Sequence, residues 1–192
     1  DIPIRAKLLQ TGEEEFVFLL SMHHIATDAW SIDILNRELA HLYFAYASET
    51  APDLPDLPIQ YPDFAIWQRD LLQGEELERQ LAYWRNQLSG KITPLDLPTD
   101  FPRPVMQTFC GAMHQIVLHS SILKKLQLFA QQENASLYMI TLTAFKVLLA
   151  RYTHQTDILV GTPVTNRSNT DLEKLIGLFV NTLVIRTKIS AG

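Results

Sequence analysis

The stretch of this chain best equipped for proton chemistry is Met22-His23-His24-Ile25-Ala26-Thr27-Asp28. Two adjacent histidines are followed, four residues after the second, by an aspartate. An imidazole titrates near neutrality, at about 6.5, and suits proton transfer at physiological pH. A nearby carboxylate can orient it, or hold the loop through an ion pair. Neighbouring residues on a strand point to opposite faces. Only one histidine is therefore expected to face a given cleft, and the other the interior or a second layer.

Other readings of the same residues stand beside the catalytic one. A metal centre lacks support: HExxH and paired-cysteine spacings are absent, and there is no well-placed third ligand. Two histidines satisfying backbone groups at a strand end is the structural alternative. Ser21 and Ser31 lie close by, but neither sits in a G-x-S-x-G elbow. Ser31 is expected in the first turn of a helix. Cys110, the one cysteine, is expected to be a small buried apolar residue rather than a nucleophile. His41 reads as a surface or boundary residue, and the isolated His114, His119 and His154 as surface or hydrogen-bonded structural groups. The aromatic set Tyr61, Phe64, Trp67, Tyr83 and Trp84 reads as core.

The elements that must position the histidines follow from periodicity. Ile4 to Gln10 and Phe16 to Met22 read as a hairpin across the polar turn Thr11-Gly12-Glu13-Glu14-Glu15, the second strand apolar enough to be buried on both faces. Asp28 is placed to cap a long helix whose apolar face carries Trp30, Ile34, Leu35, Leu39, Leu42, Tyr43 and Tyr46. Pro52, Pro55 and Pro58 make 50–58 a linker. A helix opens at Tyr61-Pro62, with the proline tolerated in its first turn, and a second runs from Glu75 to Leu88. Pro98, Pro102 and Pro104 mark another crossing. Ala112 to Leu118 is predicted as a strand. Ser120 to Glu133 and Ser136 to Arg151 are predicted helices, each with a serine at its cap. Ile158 to Val160 reads as a short buried strand, 161–170 as a polar loop, and Phe179 to Ile189 as a last strand. Interleaved strands and helices with long connections indicate an α/β architecture of layered sheet and helices.

Composition narrows the function classes. The chain has 192 residues, 47% hydrophobic and 19% charged, with a net charge of −5. That is a folded rather than a disordered composition. There is no basic stripe to neutralise phosphates, so nucleic acid is not expected as a partner. The G-x-G-x-x-G and P-loop patterns are absent. No apolar run approaches the ~18 residues of a membrane span, and a single cysteine fits a reducing, cytoplasmic setting. The first residues, Asp1-Ile2-Pro3-Ile4-Arg5, carry no signal-peptide pattern and enter strand-like sequence at once, as expected of a cut inside a domain.

The stretch His-His-Ile-Ala-Thr-Asp-Ala-Trp-Ser (23–31) resembles the HHxxxDGWS motif of nonribosomal peptide synthetase condensation domains. Tyr61-Pro62-Asp63-Phe64-Ala65-Ile66-Trp67-Gln68, then Leu97-Pro98-Thr99-Asp100, then Ile176-Gly177-Leu178-Phe179-Val180-Asn181-Thr182 match in the same order. The first motif is shared with other acyltransferases of the chloramphenicol acetyltransferase-like superfamily; the four together are more specific. Trp30 before Ser31 fits a condensation rather than an epimerization domain, and the paired histidines disfavour a heterocyclization domain.

The resemblance implies a partial chloramphenicol acetyltransferase-like fold. It assigns 1–96 to the end of the N-terminal subdomain, 97–110 to a proline-rich crossing and 111–192 to the start of the C-terminal subdomain. It implies amide formation between substrates held as thioesters on the phosphopantetheine of upstream and downstream peptidyl carrier domains, beside an adenylation domain. No cofactor or metal is expected on this segment, and no membrane contact. His24 would be the catalytic histidine, supported by His23 and by Asp28. The arginine expected to pair with Asp28 would lie upstream of the chain. Two positions depart from the family pattern: Ala29 stands where glycine is usual, and Phe101 where arginine is frequent. Lacking the rest of both subdomains, the chain alone is expected to be inactive and poorly soluble, with open sheet edges at each end.

Overall fold

The structure, a computed structural model, describes residues 2–190. Helices and strands are mixed, but they do not interleave as expected, because the predicted strand at 112–118 does not form: strands β1 (Ile4–Gln10) and β2 (Phe16–Met22) are followed by helices α1 (Ala29–Ala47), α2 (Tyr61–Leu71), α3 (Gly74–Gln87), α4 (Ser120–Gln132) and α5 (Leu137–Thr153), then by strands β3 (Asp157–Val164) and β4 (Asn181–Lys188). β1 and β2 form an antiparallel hairpin, with Ile4 opposite Met22 and Gln10 opposite Phe16. β3 and β4 pair as a second two-stranded sheet. The chain divides into two compact units, one made of the stretch up to Arg85 with Thr162–Leu183, the other of Asn86–Gly161 with the stretch from Val184.

In the first unit α1 and α2 each start where a side chain can accept an otherwise unpaired amide. Asp28 caps α1, its Oδ1 taking the N–H of Ser31 at 2.8 Å. Asp63 of α2 reaches back to the Gln60 amide at 2.8 Å, with Pro62 in the first turn. The core of this unit is Phe64 from α2 with Leu172, Leu175 and Phe179 from the returning segment, flanked by Leu57, Ile59 and Tyr61. The Phe64 and Phe179 rings lie 4.7 Å apart, and Tyr61 meets Phe179 edge-on at 5.1 Å. These contacts bring 172–179 to the sequence-distant α2.

The second unit contains α4 and α5, with Ala130, Leu149 and Ile158 buried. Ser136 caps α5 as expected, whereas α4 is capped by His119, whose Nδ1 accepts from the Ser121 amide at 3.2 Å. The imidazole lies one residue before the expected serine and does the same work. His154 closes α5 in the left-handed conformation. Arg186 of β4 pairs with Asp157 of β3 at 2.6 Å and donates to the carbonyls of Gln87 and Ser89.

Several sequence expectations are corrected. β2 is exposed rather than buried on both faces; among the described residues β1 is the one strand paired with it, in a two-stranded sheet. Residues 112–118 form no strand: no described strand pairs with them, and they stay exposed, where water can satisfy their N–H and C=O groups. Cys110 lies in the same irregular stretch and is exposed, not buried. Of the aromatic set Phe64 is core, Tyr61 and Trp84 are half-buried, and Trp67 and Tyr83 are exposed. β3 is longer than the predicted strand and takes up part of 161–170, and β4 starts later, after the turn at 176–180.

Phe64 is 5% exposed and holds both halves of the first unit's core. Phe64→Ala is expected to lower unfolding free energy by about 3–5 kcal/mol, read by urea denaturation. A loss within measurement error would mean that the cluster is not the core of that unit.

Candidate functional site

The two histidines lie just past β2, not on it. His23 caps a single 3-10 turn, His24–Ala26, and its Nδ1 accepts from the Ile25 amide at 3.0 Å. Strand alternation therefore does not decide their directions; the turn does. His23 is tied to the local backbone. The His24 ring is exposed and makes no hydrogen bond among the described residues, so both its nitrogens remain available. At one end the turn is held to the hairpin: His23 N, just past β2, donates to Pro3 O, just before β1, at 2.7 Å. At the other end it is held by Thr27 and Asp28, which are buried.

Asp28 is the anchor. Its side chain is 4% exposed. Oδ1 accepts from Ser31 N at 2.8 Å and lies 2.7 Å from Ser31 Oγ and 3.3 Å from Arg167 Nη2. Oδ2 accepts from the amides of Phe179 at 3.0 Å and Val180 at 3.3 Å. One carboxylate thus caps α1, pairs with an arginine and fixes the 176–180 turn at Phe179 and Val180.

Ser31 is the second member of this node. Its Oγ accepts from Gly177 N at 3.1 Å and from Arg167 Nη2 at 2.9 Å. Its one proton is shared between the nearby Asp28 Oδ1 and Gly177 O, the latter at 2.9 Å. Gly177 is required by space: a Cβ built there would fall 2.1 Å from Tyr61 Cδ2. The Tyr61 hydroxyl donates to Leu178 O at 2.9 Å, and Trp30 Nε1 to Glu173 O at 2.9 Å. The three motif stretches around 23–31, 61–68 and 176–182 therefore meet through named hydrogen bonds.

The arginine paired with Asp28 lies within the chain, which corrects the expectation of an upstream partner. In sequence Arg167 is only part of a polar loop; in the fold its guanidinium is 1% exposed. Nη1 donates to the carbonyls of Leu172 and Leu175, and the group stacks 3.9 Å above the Phe179 ring. The sequence signal is one arginine inside a short turn-rich stretch between two apolar segments, which does not by itself name a partner. Ala29, the departure from glycine, is the first residue of α1 and is not among the residues with positive φ, so it needs no glycine freedom. Phe101 is exposed in the irregular stretch, as are His114 and His119. Among the described residues no group of three or more histidine, cysteine, aspartate or glutamate side chains could hold a metal ion.

Burial alone would raise the Asp28 pKa, but the hydrogen bonds from Ser31 and Phe179 and the Arg167 charge outweigh it and hold the carboxyl below its usual value. A folded-state pKa below the unfolded one means that the contribution is complete above the usual aspartate range and is lost as pH falls through the folded value. Asp28→Asn leaves Arg167 buried without its anion and puts an amide where two backbone N–H groups need an acceptor. It is expected to destabilise the protein by about 3–5 kcal/mol at pH 7. The gap from wild type should narrow as acidification protonates the wild-type carboxyl, below about pH 4. Thermal melts across pH check both; a pH-independent gap would mean that Asp28 is not an anion in the fold.

The condensation-domain family matches residues 1–192. The chain is 51% identical over 189 residues to a linear gramicidin synthase polypeptide of Brevibacillus parabrevis, covering 98% of this chain and 2% of that protein. It is 43% identical over 188 residues to tyrocidine synthase 2 of the same organism, covering 98% of this chain and 5% of that protein. The chain thus spans a small fraction of the length of these relatives. Among solved structures it is similar to the X-domain from teicoplanin biosynthesis, with 31% identity and a TM-score of 0.88 over 100% of this chain and 44% of that one. It shares its fold with the first condensation domain of the CDA synthetase, with 22% identity and a TM-score of 0.74 over 99% of this chain and 41% of that one. With the four motif stretches in order and three of them joined around Asp28 and Ser31, the chain belongs to the condensation-domain family.

Proposed function

We propose that this chain supplies the histidine turn of a nonribosomal peptide synthetase condensation domain, in which His24 serves amide-bond formation. The observation that carries this reading is the contrast between His23, tied to the Ile25 amide, and His24, exposed with no hydrogen-bond partner among the described residues, on a turn anchored by buried Asp28. The substrates would be thioesters on the phosphopantetheine arms of upstream and downstream carrier domains, with an adenylation domain alongside. In this reading residues 1–96 close the N-terminal subdomain and 111–192 open the C-terminal one.

The reaction joins an α-amine to a thioester carbonyl. The amine lone pair forms the C–N bond, the C–S bond breaks, and the thiolate leaves and takes up a proton. A free α-amine has a pKa of about 7.7–8.0, so an appreciable fraction is already neutral at physiological pH. His24 accepts a hydrogen bond from the attacking nitrogen and takes its proton as the C–N bond forms. Such assistance commonly contributes ~10²–10⁴-fold. Asp28 touches no reacting atom in this scheme; it holds the turn. The amine is itself the nucleophile, so the scheme asks for no acyl-enzyme.

His24→Ala in the complete domain is expected to reduce amide product by ~10²-fold or more while leaving the melting temperature near wild type, since the ring makes no described contact that the fold needs. His23→Ala is expected to lose stability as well, through the amide it caps. Carrier-loaded donor and acceptor are mixed and product is counted. Wild-type yield from a folded His24→Ala protein would overturn the assignment.

A further inference from the structure

A buried charge in the second compact unit takes no part in the chemistry above. Lys146, on α5, is 3% exposed. Its Nζ donates to Ile185 O at 2.9 Å and to Thr187 Oγ1 at 2.6 Å. An ammonium has three N–H donors, and these acceptors use two. Among the described residues no carboxylate lies within ion-pair distance of it. Burial pushes its pKa down with no neighbouring charge to oppose the shift.

Lys146 lines a cleft of about 280 Å³ between α5 and β4. We propose that this cleft binds a small aliphatic carboxylate, its head on Lys146 Nζ and its hydrocarbon body against Met139, Leu142, Val147, Ile185 and Ile189. Buried charges are normally paired, because desolvating an ion without a counter-charge is strongly unfavourable. The wall is aliphatic, so the ligand carries a hydrocarbon body. The donors are few: Thr143, the other hydroxyl on the helix side, is turned back to Met139 O at 2.7 Å. A phosphate, which calls for several charge-assisted donors, finds too few here. One singly charged head on an apolar chain fits. This site is independent of the His24 reading and stands or falls apart from it.

The test is isothermal titration of the intact protein that carries this chain, with hexanoate, hexan-1-ol and hexylammonium as probes. Hexanoate is expected to bind saturably at one site, hexan-1-ol at least tenfold more weakly, and hexylammonium not at all. Lys146→Met keeps a long apolar side chain and removes the charge; it should weaken hexanoate at least tenfold. Leu142→Trp fills the cleft with Lys146 in place and should also abolish binding. Thermal melts report whether each variant folds, and if Lys146→Met does not, the three probes and Leu142→Trp decide. Equal binding of hexanoate and hexylammonium, undiminished hexanoate binding in either folded variant, or no saturable hexanoate binding to the folded wild type overturns the proposal.

Discussion

A carboxylate removed from water must find donors for both its oxygens, and Asp28 finds them on three separate stretches of chain. It takes the first-turn amide and hydroxyl of Ser31, the guanidinium of Arg167, and the amides of Phe179 and Val180. Local helix capping is met by one of these contacts. The Ser31 hydroxyl is local too, whereas Arg167, Phe179 and Val180 join the start of α1 to residues 139, 151 and 152 positions later in the chain. The histidine turn immediately precedes this anchor, so its position follows from where Asp28 is pinned.

The apolar packing and the polar node support each other. Phe179 contributes its amide to Asp28, its ring face to Arg167 and an edge-on contact to Tyr61. Gly177 lets the backbone come against the Tyr61 ring while its own amide and carbonyl meet Ser31. Excluding water from this cluster strengthens each electrostatic contact within it. It also makes any single unpaired group there expensive, so the arrangement has few tolerated alternatives.

Local patterns in the sequence carry much of the structure. The hairpin bounds follow from apolar runs separated by a polar turn, and the Asp28 and Ser136 caps from residue type before a periodic run. Burial is less legible, because it depends on which faces find partners. β2 is apolar yet exposed, and 112–118 has strand-like residues but pairs with no described strand. His23 and His24 stand out by type and spacing, but their division of labour comes from a 3-10 turn that alternation does not describe. Arg167 is invisible as a partner because an ion pair across 139 positions leaves no local pattern. Lys146 is likewise unmarked: in sequence it is one lysine in an apolar helix, and only the fold buries it.

The central claim is that Asp28 and Arg167 act as one unit that fixes the turn bearing His24. A double-mutant cycle with Asp28→Asn, Arg167→Met and the double variant, read by urea denaturation at pH 7, measures it most directly. Each single change strands a buried charge or its donors, so the double variant should be less destabilised than the sum of the two, by about 0.5–3 kcal/mol. Strict additivity, with each side chain contributing independently, would contradict the account.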